Sequence, residues 1–427
     1  MKKYLIKKLQ GVLRILARLT IKRYRPFIVG ITGSAGKTST KSAIYSVLSQ
    51  SFVVRMGRGN LNNELGLPLV IVGDYKISGG ASFWLKVVMF GFLGLIWRKN
   101  YPEILILEYG ADKPGDMDYL LTVVKPDIAV ITAVGEIPVH VEFYNGPEGV
   151  AKEKGKLAKA VSSIGNVVLN IDDPFVADMK DITKGNVMTY GFIDEADLRI
   201  SSFMNRSEND KPLGVSFKLE TGDNFVPVKI DGSLGKAVAY SAAAAAAVGL
   251  VKGMNLVEIS EALAQYHGEP GRCYLLDGVK NTNLIDDTYN SSPIAVASAL
   301  EILKDIPANR KVAILGDMAE LGQYTNYAHE EVGKLVAEIA DILVTVGDKG
   351  KFIADGAEKH GFSKKNIYSF ADSDKAVKNI KDIIEPNDLI LIKGSQSVRM
   401  EHIVMEIMAE PKKAANLLVR QYGKWLK

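Results

Sequence analysis

After Pro26 the chain reads Phe27-Ile28-Val29-Gly30-Ile31, a short β-branched apolar run, then turns glycine-rich from Thr32 to Lys37 and takes up helical periodicity from Thr38 to Leu48. This order of strand, loop and helix constrains the fold more than anything else in the sequence. Gly33 and Gly36 let backbone N–H groups approach an anion, and the N-terminus of the following helix favours the same negative charge. The loop Thr32, Gly33, Ser34, Ala35, Gly36, Lys37, Thr38 and Ser39 is therefore read as an ATP-phosphate cradle. Lys37 is expected on the outer phosphates and the Thr38 hydroxyl on Mg2+. The strict G-x-x-x-x-G-K-[ST] spacing fails because Ile31 stands where the first glycine belongs. That departure argues against a generic phosphate-loop NTPase.

Further buried strands are expected at Ile104–Leu107, Ile128–Ile131 and Val167–Leu169, which makes an α/β fold with a doubly wound parallel sheet. From Leu198 to Ile230 the pattern alternates, as in Val215-Ser216-Phe217-Lys218-Leu219, and predicts antiparallel strands on the flank. Lys236 to Val251 is an alanine-rich helix, packed in a core. The turn cluster His267-Gly268-Glu269-Pro270-Gly271 marks a boundary, beyond which strands are expected at Leu284-Ile285, Val312–Leu315, Ile342–Val346 and Leu389–Ile392. These give a C-terminal Rossmann-like α/β domain that ends in a basic helix running to Lys427. The division expected is 1–26 as a basic amphipathic helix, 27–270 as a central ATP-binding domain and 271–427 as the second α/β domain.

Length supports the division, since 427 residues at roughly 150 per domain make two or three. A single cysteine, Cys273, excludes a disulfide framework and any multi-cysteine metal site, and suits a reducing cytoplasm. The net charge of +4 hides an asymmetry: nine Lys and Arg and no acid precede residue 26, so the remainder carries −5. Within residues 3–23, Leu5, Leu9, Val12, Leu13, Leu16 and Leu19 recur at helical spacing among these cations. Such a helix either lies on an anionic membrane or docks on the next domain. No cleavable signal peptide is apparent. A second apolar stretch, 83–97, is shorter than the roughly 20 residues of a membrane span and reads as a buried or interfacial helix.

The loop form T-G-S-x-G-K-T-S after a buried strand resembles that of the Mur ligases and their folylpolyglutamate synthetase relatives. Other segments resemble the same family in order and spacing. Glu108-Tyr109-Gly110-Ala111-Asp112 ends a strand, and by the resemblance Glu108 is a Mg2+ ligand. Val139-His140-Val141-Glu142-Phe143 resembles the family's A-H-L-E segment, which puts His140 at a second Mg2+; the loop before it is about two residues longer than usual. Lys154 stands where the family carries a lysine often carbamylated, a change that turns a cation into a metal-binding carboxylate. Metal ions and a lysine are needed there because ATP, a substrate carboxylate and the transferring phosphoryl group gather negative charge at one point.

Arg272 and Asp286-Asp287-Thr288-Tyr289-Asn290-Ser291-Ser292-Pro293 resemble the family's arginine and its D-D-x-Y-N-A-N-P segment. The resemblance implies Arg272 on the terminal phosphate, Asp287 on the ribose, and Tyr289 and Asn290 near the adenine. Gly316-Asp317-Met318-Ala319-Glu320-Leu321-Gly322, His329 and Lys393-Gly394-Ser395 resemble elements of the MurF branch, with Asp317, Glu320, Lys393 and Ser395 on the amine substrate's side. Three positions depart from the family: Ser241 and Ser292 stand for asparagines and Gln396 for an arginine. In the family a domain holding the UDP-sugar precedes the phosphate loop, whereas 26 residues precede the first strand here.

The expectation is an ATP- and Mg2+-dependent, ADP-forming peptide ligase, with Lys37, His140, Lys154 and Arg272 as its catalytic groups. It would join a muramyl-peptide-like carboxylate, through an acyl phosphate, to an amino acid or dipeptide amine such as D-alanyl-D-alanine. Cytoplasmic placement is expected, with peripheral membrane contact through 3–23 and 83–97 and no nucleic-acid partner. The alternatives are another amide ligase of the superfamily acting on a lipid-linked or non-UDP substrate, and a non-catalytic ATP-binding membrane scaffold.

Overall fold

The computed structural model describes residues 2–59, 61–75, 79–97, 100–138, 141–421 and 425. The first sheet holds β1 (Phe27–Thr32), β2 (Val54–Met56), β3 (Ile104–Glu108), β4 (Ile128–Ile131), β5 (Asn166–Asn170), β6 (Asn186–Gly191), β7 (Leu198–Glu208), β8 (Lys211–Thr221) and β9 (Asn224–Asp231), in the order β2-β3-β1-β4-β5-β6-β7-β8-β9. The strands β2 to β7 of this order run parallel, and β8 and β9 add antiparallel on the flank, as the alternation from Leu198 predicts. In register, Ile31 lies opposite Glu108 and Thr32 opposite Ile131. The carboxyl ends of β1, β3 and β4 thus share one crevice beside the phosphate loop, where open α/β sheets bind ligands.

On one face of this sheet lie α2 (Lys37–Leu48), α8 (Lys236–Val251) and α9 (Leu256–Leu263); on the other, α3 (Gly66–Val72), α5 (Asp116–Val123) and α6 (Gly146–Lys159). The short α7 (Pro174–Ala177) is capped by Asp173. Ala242 to Ala247 are all fully buried, so the alanine run is a packed core helix, as expected. Side chains this small let α8 come close to α2: a Cβ on Gly249 would stand 3.0 Å from Val47.

The N-terminal helix α1 (Lys2–Tyr24) docks on this domain through Leu13, Leu16, Ala17 and Thr20. Beside it, α4 (Ala81–Ile96) buries only Val87 and Gly91, so it is an exposed surface helix and not a core one. No helix among the described residues is long and apolar enough to cross a membrane.

The second sheet has β10 (Tyr274–Asp277), β11 (Asn283–Asp287), β12 (Lys311–Gly316), β13 (Ile342–Val346), β14 (Ile367–Phe370) and β15 (Leu389–Lys393), in the order β10-β11-β15-β12-β13-β14. All pairs are parallel except β10 with β11. Around it pack α10 (Pro293–Asp305), α11 (Thr325–Ala337), α12 (Gly350–Lys359), α13 (Ser373–Ile383), α14 (Glu401–Ile407) and the single turn α15 (Ala414–Leu417). The expected basic helix running to Lys427 is not formed over the described residues. Met408 leaves α14 to bridge Gly278, the Ala409 N–H donates to Asp277, and Pro411 starts a separate 3-10 turn. A proline there cannot continue the helix, and the bridge to β10's neighbour takes the backbone instead.

Candidate active site

The phosphate loop is shaped from below by Thr132, the residue after β4. Its hydroxyl donates to the Ala35 carbonyl at 2.5 Å, and the Ser34 N–H donates to the Ala133 carbonyl at 2.6 Å. A Cβ on Gly33 would fall 2.0 Å from the Thr132 hydroxyl, so no other residue fits there. Gly36 is left-handed at φ 81° and leads straight into α2. Thr32 is engaged structurally, donating to the Tyr109 carbonyl at 2.8 Å. The Ser34 hydroxyl is buried without a partner, a polar vacancy that phosphate oxygens would satisfy. Lys37 donates to the Gly33 carbonyl at 2.7 Å, which folds it back over the loop. Thr38 and Ser39 follow on the first turn of α2, both partly exposed.

At the end of β3 the buried Glu108 accepts from Lys41 at 3.3 Å and from the Asn62 amide at 3.1 Å. Burial alone would raise its carboxyl, but Lys41, Lys37 and Asn62 outweigh it and hold the group below the ordinary carboxylate value. Loss of solvation lowers the Lys37 ammonium, with Glu108 and Asp112 opposing and Arg272 adding to the effect. A carboxylate kept ionised at a strand end beside a phosphate cradle fits a hard divalent cation. His140 lies outside the described residues. Among the described residues no cluster of three or more His, Cys, Asp or Glu side chains forms a metal cage.

Lys154 projects from α6 and is fully buried. Desolvation and the charge of Lys37 lower its pKa to about 7, against Asp112 and Glu153. Its neighbour Glu153 caps α5, accepting from the Gly115 and Met117 N–H groups at 3.0 Å, and pairs with Lys156 at 2.7 Å. Burial outweighs both carboxylates, so a large fraction of Lys154 is neutral amine near pH 7.

The second sheet brings its own groups to the same crevice. Arg272 stacks over Tyr289 at 3.9 Å and is near enough for its charge to be felt at Lys37; its buried Nε has no partner. Asp287, at the end of β11, is paired with Lys393 of β15 at 2.7 Å, and Lys393 also donates to the Asn290 carbonyl at 2.9 Å. Lys393 is thus fully buried and braces the Asp287–Asn290 turn.

The Asp317–Gly322 loop is equally braced. Asp317 accepts from the Lys349 and Gly350 N–H groups at the start of α12, at 2.9 and 2.8 Å. The buried Ser395 hydroxyl accepts from the Ala319 N–H at 2.8 Å. His329 accepts at Nε2 from the Met318 N–H at 3.0 Å and meets the Thr325 carbonyl through Nδ1 at 2.6 Å, so the proton sits on Nδ1 and the ring is neutral. Burial lowers its pKa in the same direction. Glu320 is exposed at φ 61°, a left-handed conformation uncommon for its type. The loop reaches across to the first domain: a Cβ on Gly322 would stand 3.1 Å from Glu142.

Sequence reading missed Lys41, Asn62, Thr132, Arg420 and Glu401. Arg420 donates to the Thr288 and Tyr289 carbonyls at 2.5 and 2.9 Å and pairs with buried Glu401 at 2.7 Å. Lys41 alone carried a signal, lying one helical turn after Lys37 on the same face of α2. A shallow cavity of about 1130 Å³ lined by Arg25, Arg55, Arg58 and Tyr101 lies by the amino ends of β1 and β3 and holds none of the expected site residues.

The Mur ligase middle domain matches residues 31–77 and 94–249, and the Mur ligase glutamate ligase domain matches 271–396. UDP-N-acetylmuramoyl-tripeptide--D-alanyl-D-alanine ligase of Bacillus subtilis is 28% identical over 93% of this chain and 79% of its own length. The enzyme of that name from Mycobacterium leprae is 30% identical over 87% of this chain and 71% of its own. Among solved structures, MurF of Thermotoga maritima in complex with ADP superposes with a TM-score of 0.76 at 26% identity, covering 95% of this chain and 85% of that one. MurF of Acinetobacter baumannii gives 0.77 at 25% identity, covering 93% and 79%. Matched by both domains over most of its length and by a relative 30% identical, the chain belongs to the Mur ligase family.

Proposed function

We propose that the chain is an ATP-dependent, ADP-forming peptide ligase of peptidoglycan precursor synthesis that joins D-alanyl-D-alanine to a muramyl peptide, as the names of its relatives state for those enzymes. The observation that carries this reading is the gathering of Lys37, Arg272, Lys154 and ionised Glu108 around one crevice between the two sheets. A carboxylate oxygen of the peptide attacks the terminal phosphorus of ATP, ADP leaves, and the acyl phosphate is attacked at carbon by the dipeptide amine. The amine loses a proton, the carbon–oxygen bond to phosphate breaks, and amide and phosphate are released.

Each residue has a task set by its surroundings. The N–H groups from Gly33 to Thr38 and the Lys37 ammonium hold phosphate oxygens, and Arg272 brings a charge from the second domain to the same place. Mg2+, held by Thr38, Glu108, His140 and a carbamylated Lys154, would offset charge on the transferring group. Asp287, Tyr289 and Asn290, on a turn braced by Lys393, face the nucleoside end; Asp317, Glu320 and Ser395 shape the loop on the amine's side. Loss of solvation in the closed crevice strengthens all of these interactions.

Phosphate release measured against paired substrates tests the reading. Release that requires ATP, a muramyl tripeptide carrier and D-alanyl-D-alanine together is expected. ATP hydrolysis indifferent to both partners, or none at all, overturns it in favour of a scaffold. The departures at Ser241, Ser292 and Gln396 favour screening other amines in parallel, to separate D-alanyl-D-alanine from another acceptor amine.

A further inference from the structure

The helices α1 and α4 lie side by side and run in the same direction. Leu16 meets Gly91, where a Cβ would stand 2.5 Å away; the Tyr24 hydroxyl donates to the Gly94 carbonyl at 2.6 Å, and Arg23 reaches the Ile96 carbonyl at 3.4 Å. Their inner faces are spent on this packing and on α3, through Leu13 and Val87. Their outer faces are apolar as well. Val12, Ile15 and Leu19 repeat at helical spacing and are 46%, 58% and 46% exposed. On α4 the corresponding stripe is Leu85, Phe92 and Ile96, at 71%, 58% and 56%.

A surface helix ordinarily turns its polar side to water, and single exposed apolar residues need no explanation. Two adjoining stripes do. The charge around them is of one sign: neither residues 2–25 nor 79–97 contain an acid, and Lys8, Arg18, Lys22 and Lys86 are exposed among the apolar positions. A second copy of the chain would bring two cation-rich helix pairs together, which repels; an anionic lipid surface complements both the charge and the apolar stripes. Neither helix fits a span: the 16 residues of α4 reach about 24 Å against the ~30 Å of a hydrocarbon core, and α1, though longer, carries cations along its length.

We propose that α1 and α4 together form a docking face for an anionic bilayer surface, with the basic side chains at the headgroups and the two apolar stripes at the acyl boundary. The face goes beyond the ligase reading, since it concerns where the enzyme works and not what it joins. It is nonetheless close to the crevice: Leu61 and Leu65 pack, as Leu9 does, against the cluster of Leu13, Leu69 and Val87, and between Leu61 and Leu65 in sequence stands Asn62, the donor to Glu108. A bilayer held there lies one loop away from the floor of the site.

Flotation of the full chain with phosphatidylcholine vesicles, with and without phosphatidylglycerol, tests this. Binding is expected only to the anionic vesicles, weakening about tenfold or more as salt is raised through physiological strength. Ile15→Glu combined with Phe92→Glu should lower binding by at least about tenfold while leaving turnover on soluble substrates unchanged. Arg18→Glu combined with Lys22→Glu, which alters charge and no packing, should do the same even if the first pair is unstable. Ile164→Glu, an 88% exposed position elsewhere, should bind as the parent does. Absence of flotation, equal binding to neutral vesicles, stripe and charge variants that both bind as well as the parent, or a concentration-dependent dimer that the variants abolish without any vesicle binding would each overturn the proposal.

Discussion

Lys41 and Glu108 form a buried ion pair at 3.3 Å, with the lysine 3% and the carboxylate 6% exposed at their side chains, on the floor of the crevice where β3 ends. Removing one partner of such a pair strands the other charge. Lys41→Met should therefore lower stability by about 3–5 kcal/mol, and the double variant Lys41→Met with Glu108→Gln by markedly less, read from denaturant midpoints. Because the folded carboxyl titrates below its ordinary value of 4.5, the contribution of Glu108 is complete above that pH and is lost as pH falls through the depressed value. The acid limb of the unfolding curve should shift to higher pH in Lys41→Met; an unchanged limb would count against the pairing.

Lys154, at about 7, is open to carbon dioxide, since only the neutral amine reacts. Turnover should rise with added bicarbonate and with pH through 7, and ¹³C-bicarbonate should give a carbamate resonance that Lys154→Ala lacks. Linkage has the opposite sign from a lysine in a salt bridge. The folded pKa lies below the unfolded 10.5, so between about 7 and 10.5 the unfolded chain holds the extra proton and stability gains as pH rises. The cost of burying this ammonium is greatest below pH 7, and Lys154→Met should remove that slope.

Lys37→Ala should abolish turnover, by about 10²-fold or more, while the unfolding midpoint stays close to that of the parent, because its one hydrogen bond among the described residues is to the Gly33 carbonyl. Full activity in that variant would remove the phosphate loop from the site.

Arg420→Met takes away both donors to the Thr288 and Tyr289 carbonyls and leaves Glu401 with Arg399 alone. A loss of about 3 kcal/mol is expected. Nucleotide affinity should weaken more than the affinity for the amine substrate, since the turn so released carries Tyr289 and Asn290. Equal effects on both would point to general unfolding of the second domain.

Much of this arrangement was legible in the residues. Phe27–Leu48 announced β1, the loop and α2 because strand, glycine and helix patterns change there within a few positions, and Lys236–Val251 declared itself by composition. The edges were harder to read. Val54–Met56 is too short to show a period, and Ile367–Phe370 is only half-buried. The expected basic helix to Lys427 breaks after α14 because Met408 bridges Gly278, a tertiary contact. Lys393 read as a ligand from its place in a motif, and the structure gives it a partner, Asp287, 106 residues away. Such pairings across the sheet leave no local trace.

The alanine tract of α8 sets a spacing with consequences at a distance. Since α2 begins at Lys37 and rests on α8, a residue bulkier than alanine at those positions of 242–247 that face α2 would lift the helix that carries Lys37, Thr38 and Lys41. Inactivating changes should thus occur on the side of the sheet remote from any ligand, in proportion to added side-chain volume rather than to altered charge.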